Sequence, residues 1–208
     1  LMDQMMEALG CKSVADLLKV DAEKLAETAG NLFGIYQVLG IRTFPERDGK
    51  YLPKETIGAY ANGAAKGIEF LHGCNRDEFN TFVWATGEEG FIEWGRQRKK
   101  EILDKLTDKE KELVESYCRS FKEDNYEPYS CLFGQMLFIT PQIRVAEELA
   151  KVGCKSYTYL YRVESSVPLM KAGHATEVST VFAHPELTDL TGRRYDETFG
   201  RTVRKMWV

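Results

Sequence analysis

Hydrophobic positions recur along this chain at two spacings, and the change between them marks where helices give way to strands. Over residues 132 to 152 the apolar positions Ile143, Ala146, Leu149 and Ala150 return every three or four residues. That period predicts a long helix, interrupted near Pro141 and closed by Gly153. Over 155 to 163 the period drops to two: Tyr157, Tyr159 and Tyr161 fall on one side, Thr158, Leu160 and Arg162 on the other, as a strand requires. Residues 68 to 71 are a short apolar run followed by Gly73, the pattern of a buried strand that ends at a loop. Between the two strands, residues 88 to 122 read as charge-rich helix, with Thr107 and Glu110 at capping-box spacing and Leu113, Tyr117 and Phe121 along one face.

Helical patterns also flank these strands. Residues 13 to 30 predict two short helices with Ser13 and Asp21 as N-caps and Gly30 as a stop, and Met2, Met5 and Met6 read as helix packing. Residues 44 to 53 are turn-rich, with Asp48-Gly49 suited to a tight reversal and Pro53 leading into a helix from about 54 to 65. Residues 193 to 208 are again helix-like. Strand, helices, strand in this order predict an α/β arrangement whose two strands run parallel, joined by a helical crossover.

Composition narrows the functional classes. The 208 residues are 43% hydrophobic and 29% charged, enough apolar side chain to build a core. A net charge of -4 without a basic cluster argues against a nucleic-acid partner. No run of eighteen apolar residues could span a bilayer, and the first residues carry no secretory-signal pattern. Five cysteines without C-x-x-C spacing and the lack of an Asn-x-Ser/Thr sequon make a cytoplasmic setting the simpler expectation. The sequence starts at Leu1 rather than Met and stops at Met206-Trp207-Val208 without a capping signal, so a partial chain is expected.

Two stretches carry candidate chemistry. Gly73-Cys74-Asn75-Arg76-Asp77-Glu78 follows the first predicted strand, and Ala172-Gly173-His174-Ala175-Thr176-Glu177 follows the second and leads to Val181-Phe182. Acyl transfer to a serine needs a nucleophile, an imidazole that takes its proton, and a carboxylate that fixes the imidazole tautomer. In α/β-hydrolases these come in the order Ser, acid, His, each on a loop beyond a strand's carboxyl end. Glu78 and His174 come in that order, while no Gly-x-Ser-x-Gly occurs in the 208 residues.

These stretches resemble the C-terminal part of the type B carboxylesterases, the family of para-nitrobenzyl esterases and cholinesterases. Phe44-Pro45 through Asp48-Gly49 and Leu52-Pro53 is similar to the family's F-x-P-x-x-D-G-x-x-L-P passage, and Gly73-x-Asn75-x-Asp77-Glu78 to its G-x-N-x-D-E-G acid loop. Tyr157-x-Tyr159, Gly173-His174-x-x-Glu177 and Val181-Phe182 are similar to its strand, histidine loop and V-F ending, and residues 202 to 207 to the start of a later helix.

The resemblance implies a partial α/β-hydrolase fold: the last parallel strands with surrounding helices, and a helical lid-like insertion at about 80 to 131. It implies a carboxylic ester hydrolase in which Glu78 is the triad acid, His174 the general base and Glu177 a supporting glutamate. A small-molecule carboxylic ester is then the substrate. The other partner is the N-terminal portion of the same fold, which would supply the serine and the oxyanion donors, so these residues alone are expected to be inactive.

The resemblance departs at Phe79, where the family pattern has Gly, and a ring there is expected to bear on the acid loop. His174-x-x-Glu177 lacks the second histidine of H-E-x-x-H, so neither metal nor cofactor is expected. His72 and His184 read as structural. An exposed edge on the first strand makes self-association a further expectation. The alternatives are a non-catalytic esterase-like interaction module and an inactive proteolytic piece; an upstream Gly-x-Ser-x-Gly separates the enzyme from the module.

Overall fold

The computed structural model describes residues 2–33, 45, 47–121 and 125–207; Phe44, Glu46, the expected helix end at Lys122 and Val208 lie outside them. The chain divides into two units, Leu1–Lys54 and Glu55–Val208. The first holds α1 (Met2–Leu9), α2 (Val14–Leu17) and α3 (Ala22–Phe33). Ser13 caps α2 by accepting from the Asp16 amide, and Asp21 Oδ1 accepts from the amides of Glu23 and Lys24 at 2.9 and 3.3 Å. Gly30 does not stop α3, because the apolar period continues through Leu32 to Phe33. Asp48 Oδ1 accepts from the amides of Lys50, Tyr51 and Leu52, and Gly49 sits at φ 78°, a turn conformation open to glycine at no steric cost.

The second unit is built on a parallel pair, β1 (Phe70–Asn75) and β2 (Ser156–Tyr161), in register from Phe70 opposite Ser156 to Asn75 opposite Tyr161. The expected strand-helices-strand crossover is present, with α4 (Thr56–Ala61) ahead of it. β1 does not end at Gly73 but runs through it. A Cβ there would lie 2.3 Å from the Tyr159 carbonyl oxygen and 2.6 Å from its Cγ, so the glycine admits the neighbouring strand's tyrosine. His72 is a satisfied strand residue, with Nδ1 2.6 Å from Gln142 Oε1 and Nε2 2.8 Å from Ser156 Oγ.

The crossover runs through α5 (Asn80–Thr86), α6 (Glu88–Leu103), α7 (Asp108–Arg119) and α8 (Glu127–Gly134). A π-helical turn, Gln135–Ile139, then leads into α9 (Thr140–Lys151). The expected Thr107 and Glu110 capping box opens α7. Pro141 has no N–H to donate to the Leu137 carbonyl one turn earlier, and a π turn stands immediately before α9, so the helical run is interrupted next to the proline as expected. After β2 come α10 (Val178–Val181) and α11 (Glu197–Trp207), the latter fixed by Arg204, which donates to the Thr180 carbonyl oxygen at 2.9 Å.

The core between β1 and the crossover helices is aromatic, and Phe79 is at its centre. Its backbone is right-handed helical (φ -76°, ψ -8°), so the position does not require glycine. Its ring is fully buried, 5.0 to 6.4 Å from the rings of Phe82, Phe91, Trp94, Phe133 and Phe138. The departure from the family pattern thus directs its bulk into the core rather than onto the acid loop. Phe79→Ala is expected to destabilise the fold by about 3–5 kcal/mol through the cavity it leaves. Chemical denaturation checks this, and a loss under about 1 kcal/mol would contradict the packing role.

Candidate active site

Glu78 and His174 stand on two loops that leave the same end of the parallel pair. The acid loop continues β1 into α5; the histidine loop lies between β2 and α10. Because both strands point the same way, their carboxyl ends deliver both loops to one rim. Asp77 clasps them: its amide donates to the Ala172 carbonyl at 3.0 Å, and its Oδ2 accepts from the Ala172 amide at 3.1 Å. Arg76 pairs with Asp77 at 2.7 Å and with Glu164 at 2.5 Å, tying in the segment after β2.

His174 Nδ1 lies 2.7 Å from Glu78 Oε2, and the His174 amide donates to the Glu78 carbonyl oxygen at 3.1 Å. The other carboxylate oxygen, Oε1, accepts from the Asn75 amide at 2.7 Å. The Glu78 side chain is 5% exposed and that of His174 is 48% exposed, so a buried carboxylate supports an imidazole that faces outward. Phe82 and Phe138 flank the imidazole with ring centroids at 6.2 and 5.3 Å. The Thr81 hydroxyl donates to the His174 carbonyl at 2.9 Å, fixing its backbone from the α5 side.

Glu177 does not touch the imidazole. Its Oε2 accepts from the Asn75 side-chain amide at 2.5 Å, and the same Nδ2 donates to the Gly173 carbonyl at 2.6 Å. Asn75 Oδ1 is buried without a partner among the described residues, a cost of about 1–3 kcal/mol that the donor contacts offset. The loop is strained as well: Leu169, Lys171 and Ala175 adopt φ of 67°, 47° and 67°, at about 1–2 kcal/mol each. The clasp from Asp77 and the bonds from Asn75 and Thr81 hold it there.

Electrostatics set the proton inventory. The hydrogen bond to Glu78 raises the His174 pKa above its ordinary 6.5, against the opposing effect of burial, and the charges of Glu78 and Glu177 add to the rise. Its protonated form is therefore stabilised in the folded state. That contribution to stability is complete below the unfolded value near 6.5 and is lost as pH rises through the folded value. An NMR titration of the His174 ring is expected to give a midpoint above 6.5, moving down in Glu78→Gln; an unshifted midpoint would contradict the pair. Cys74, one residue before Asn75, is no competing nucleophile. Burial, with the charges of Glu78 and Glu177, pushes its thiol up to about 11.

The three site residues expected from sequence thus divide: Glu78 and His174 meet directly, and Glu177 is hydrogen-bonded to Asn75 and acts on the imidazole through its charge. Sequence reasoning assigned no task to Asn75 and Asp77, although both lie in the acid-loop motif. Thr81, Phe82 and Phe138 had no local signal at all.

The sequence profile of the carboxylesterase family matches residues 1–208. The chain belongs to that family. Among carboxylesterase relatives, it is 26% identical over 194 residues to the acetylcholinesterase of Leptinotarsa decemlineata, covering 84% of this chain and 30% of that protein. It is 25% identical over 185 residues to the bile salt-activated lipase of Rattus norvegicus, covering 79% of this chain and 30% of that protein. The carboxylesterase EST55 of Geobacillus stearothermophilus superposes with a TM-score of 0.70 at 24% identity, over 99% of this chain and 43% of that one. A PNB esterase structure superposes with a TM-score of 0.71 at 22% identity, over 99% of this chain and 42% of that one. The fold is accordingly part of an α/β-hydrolase carboxylesterase fold, and the chain spans less than half the length of the carboxylesterases it matches. Among the described residues, no helix is long and apolar enough to cross a membrane.

Proposed function

We propose that the protein to which these residues belong hydrolyses carboxylic esters through an acyl-serine intermediate. His174 is the general base, Glu78 orients it, and the serine lies outside these 208 residues. The observation that carries this reading is the 2.7 Å contact between His174 Nδ1 and a buried Glu78 carboxylate. With Nδ1–H donating to Glu78, Nε2 holds a lone pair on the exposed side of the ring. The serine hydroxyl gives its proton to Nε2 as its oxygen attacks the ester carbonyl. Collapse of the tetrahedral intermediate expels the alcohol, which takes that proton back, and water repeats the cycle on the acyl-enzyme. Membership of the carboxylesterase family supports the substrate class. In this reading the helical insertion over 80 to 131 is a lid-like cover of the cleft, a role supported by the Phe82 ring of α5 standing 6.2 Å from the imidazole.

Because Nε2 must be neutral to accept the proton, the acid limb of kcat/KM is expected to have its midpoint above 6.5, following the raised His174.

The 208 residues alone are expected to hydrolyse p-nitrophenyl esters no faster than their own His174→Ala variant. They contain no Gly-x-Ser-x-Gly, and each oxyanion donor absent from the site withholds about 3–4 kcal/mol of transition-state stabilisation. The full-length protein is expected to turn the same ester over and to be labelled at one serine by a fluorophosphonate. Turnover by the short chain above its control, or a full-length protein with neither turnover nor labelling, would overturn the proposal.

A further inference from the structure

We infer that Asn75 is a positioning residue of this site, its buried side-chain amide setting where the histidine loop stands relative to the Glu78 carboxylate. Asn75 is the last residue of β1 and pairs in register with Tyr161, so its backbone is held by the sheet. From that fixed point it reaches both partners. Its amide N–H donates to Glu78 Oε1 at 2.7 Å, and its Nδ2 donates to the Gly173 carbonyl, one residue before His174, at 2.6 Å.

The orientation of this amide is forced. Nδ2 faces a carbonyl oxygen, the Glu177 carboxylate at 2.5 Å and the Thr176 hydroxyl at 3.4 Å, and the first two can only accept. Turning the side chain over would set its own oxygen against both. Asn75 is fully buried, so water cannot substitute for these contacts.

The loop is confined on its opposite side. A Cβ at Gly173 would lie 2.6 Å from Thr81 Oγ1 and 2.7 Å from the Met170 carbonyl oxygen, so the backbone there already abuts α5 and its own turn. The amide draws the loop toward β1 while Thr81 limits it from α5. Asn75 also fixes the Glu177 carboxylate near the imidazole, which gives that glutamate its indirect place in the site. A displacement of about 1 Å between reacting groups can cost about 100-fold in rate, so a short spacer of this kind has kinetic weight.

The kinetic arm of the test rests on the hydrolytic reading above; a spectroscopic arm does not. In the full-length protein, Asn75→Ala is expected to lower kcat for a p-nitrophenyl ester by about 10- to 100-fold with KM changed less than about threefold. In a Glu78→Gln background the same change is expected to add less than about threefold, because the contact it positions is already broken. The low-field proton resonance of His174 Nδ1–H, present in the parent protein, is expected to be lost in Asn75→Ala while thermal unfolding stays cooperative. The nearly isosteric Asn75→Asp, which turns the donor into an acceptor, is expected to act in the same direction and serves where the alanine variant does not fold.

An unchanged resonance in a folded Asn75 variant, or kcat within about twofold of the parent, would overturn the inference. A parent protein that shows the resonance but no turnover, with the resonance lost on substitution, would refute the hydrolytic reading and leave the positioning role standing.

Discussion

Replacing His174 by alanine in the full-length protein is expected to lower kcat for ester hydrolysis by about 10⁴- to 10⁶-fold, with KM changed less than about threefold. The size of the loss follows from the lack of a substitute base. His72 spends both ring nitrogens on Gln142 and Ser156 within the sheet. Glu78 is buried behind the imidazole, with Oε1 occupied by the Asn75 amide. The Cys74 thiol is held protonated. Phe82 and Phe138 pack on both the imidazole and the Phe79 ring, and the buried Glu78 Oε2 loses the imidazole as its partner, so thermal unfolding is expected to shift down while remaining cooperative. Initial rates with a p-nitrophenyl ester provide the measurement. Retention of activity to within tenfold of the parent would remove His174 from the chemistry.

Glu78→Gln is expected to cost about 10⁴-fold in kcat, although it is the smaller chemical change. The Asn75 amide donates to Oε1 at 2.7 Å and will hold the new side chain by its only acceptor, the carbonyl oxygen. The amide NH₂ is then left facing His174 Nδ1, where Oε2 stood at 2.7 Å. A donor opposite Nδ1 forces the imidazole to accept there and to carry its proton on Nε2, the tautomer that cannot receive a proton from serine. The ring stays in place while its chemistry is reversed, so the loss is expected in kcat rather than KM. Glu78→Asp keeps the charge but shortens the reach, and is expected to retain more activity than the glutamine variant. Equal rates for the parent and Glu78→Gln would show that this carboxylate has no part in proton transfer.

Much of the scaffold was legible in the sequence, because strand and helix periods are local. The alternation over 155 to 163 and the caps at Ser13 and Thr107 each follow from neighbouring residues, and the parallel pairing from the strand-helices-strand order. Misreadings fell where a distant contact overrides a local rule. Gly73 reads as a strand terminus until Tyr159 is seen lying over it, whereas the interruption expected near Pro141 is present as the π turn just before it. The site was legible only through the family resemblance. Nothing in the spacing of Glu78 and His174 brings a carboxylate to an imidazole 96 positions away. The flanking rings of Phe82 and Phe138 depend on how α5 and the π turn pack, which no short window of sequence encodes.

The clasp between Asp77 and Ala172 joins the two loops through main-chain atoms, close to where each leaves its strand. Acid and histidine are thereby preassembled as one cartridge, aligned by the main chain of the two loops themselves. Helix α7, which has no buried residue, can be resurfaced without disturbing that alignment. Change on that outer surface is in this way uncoupled from the pairing of the two side chains.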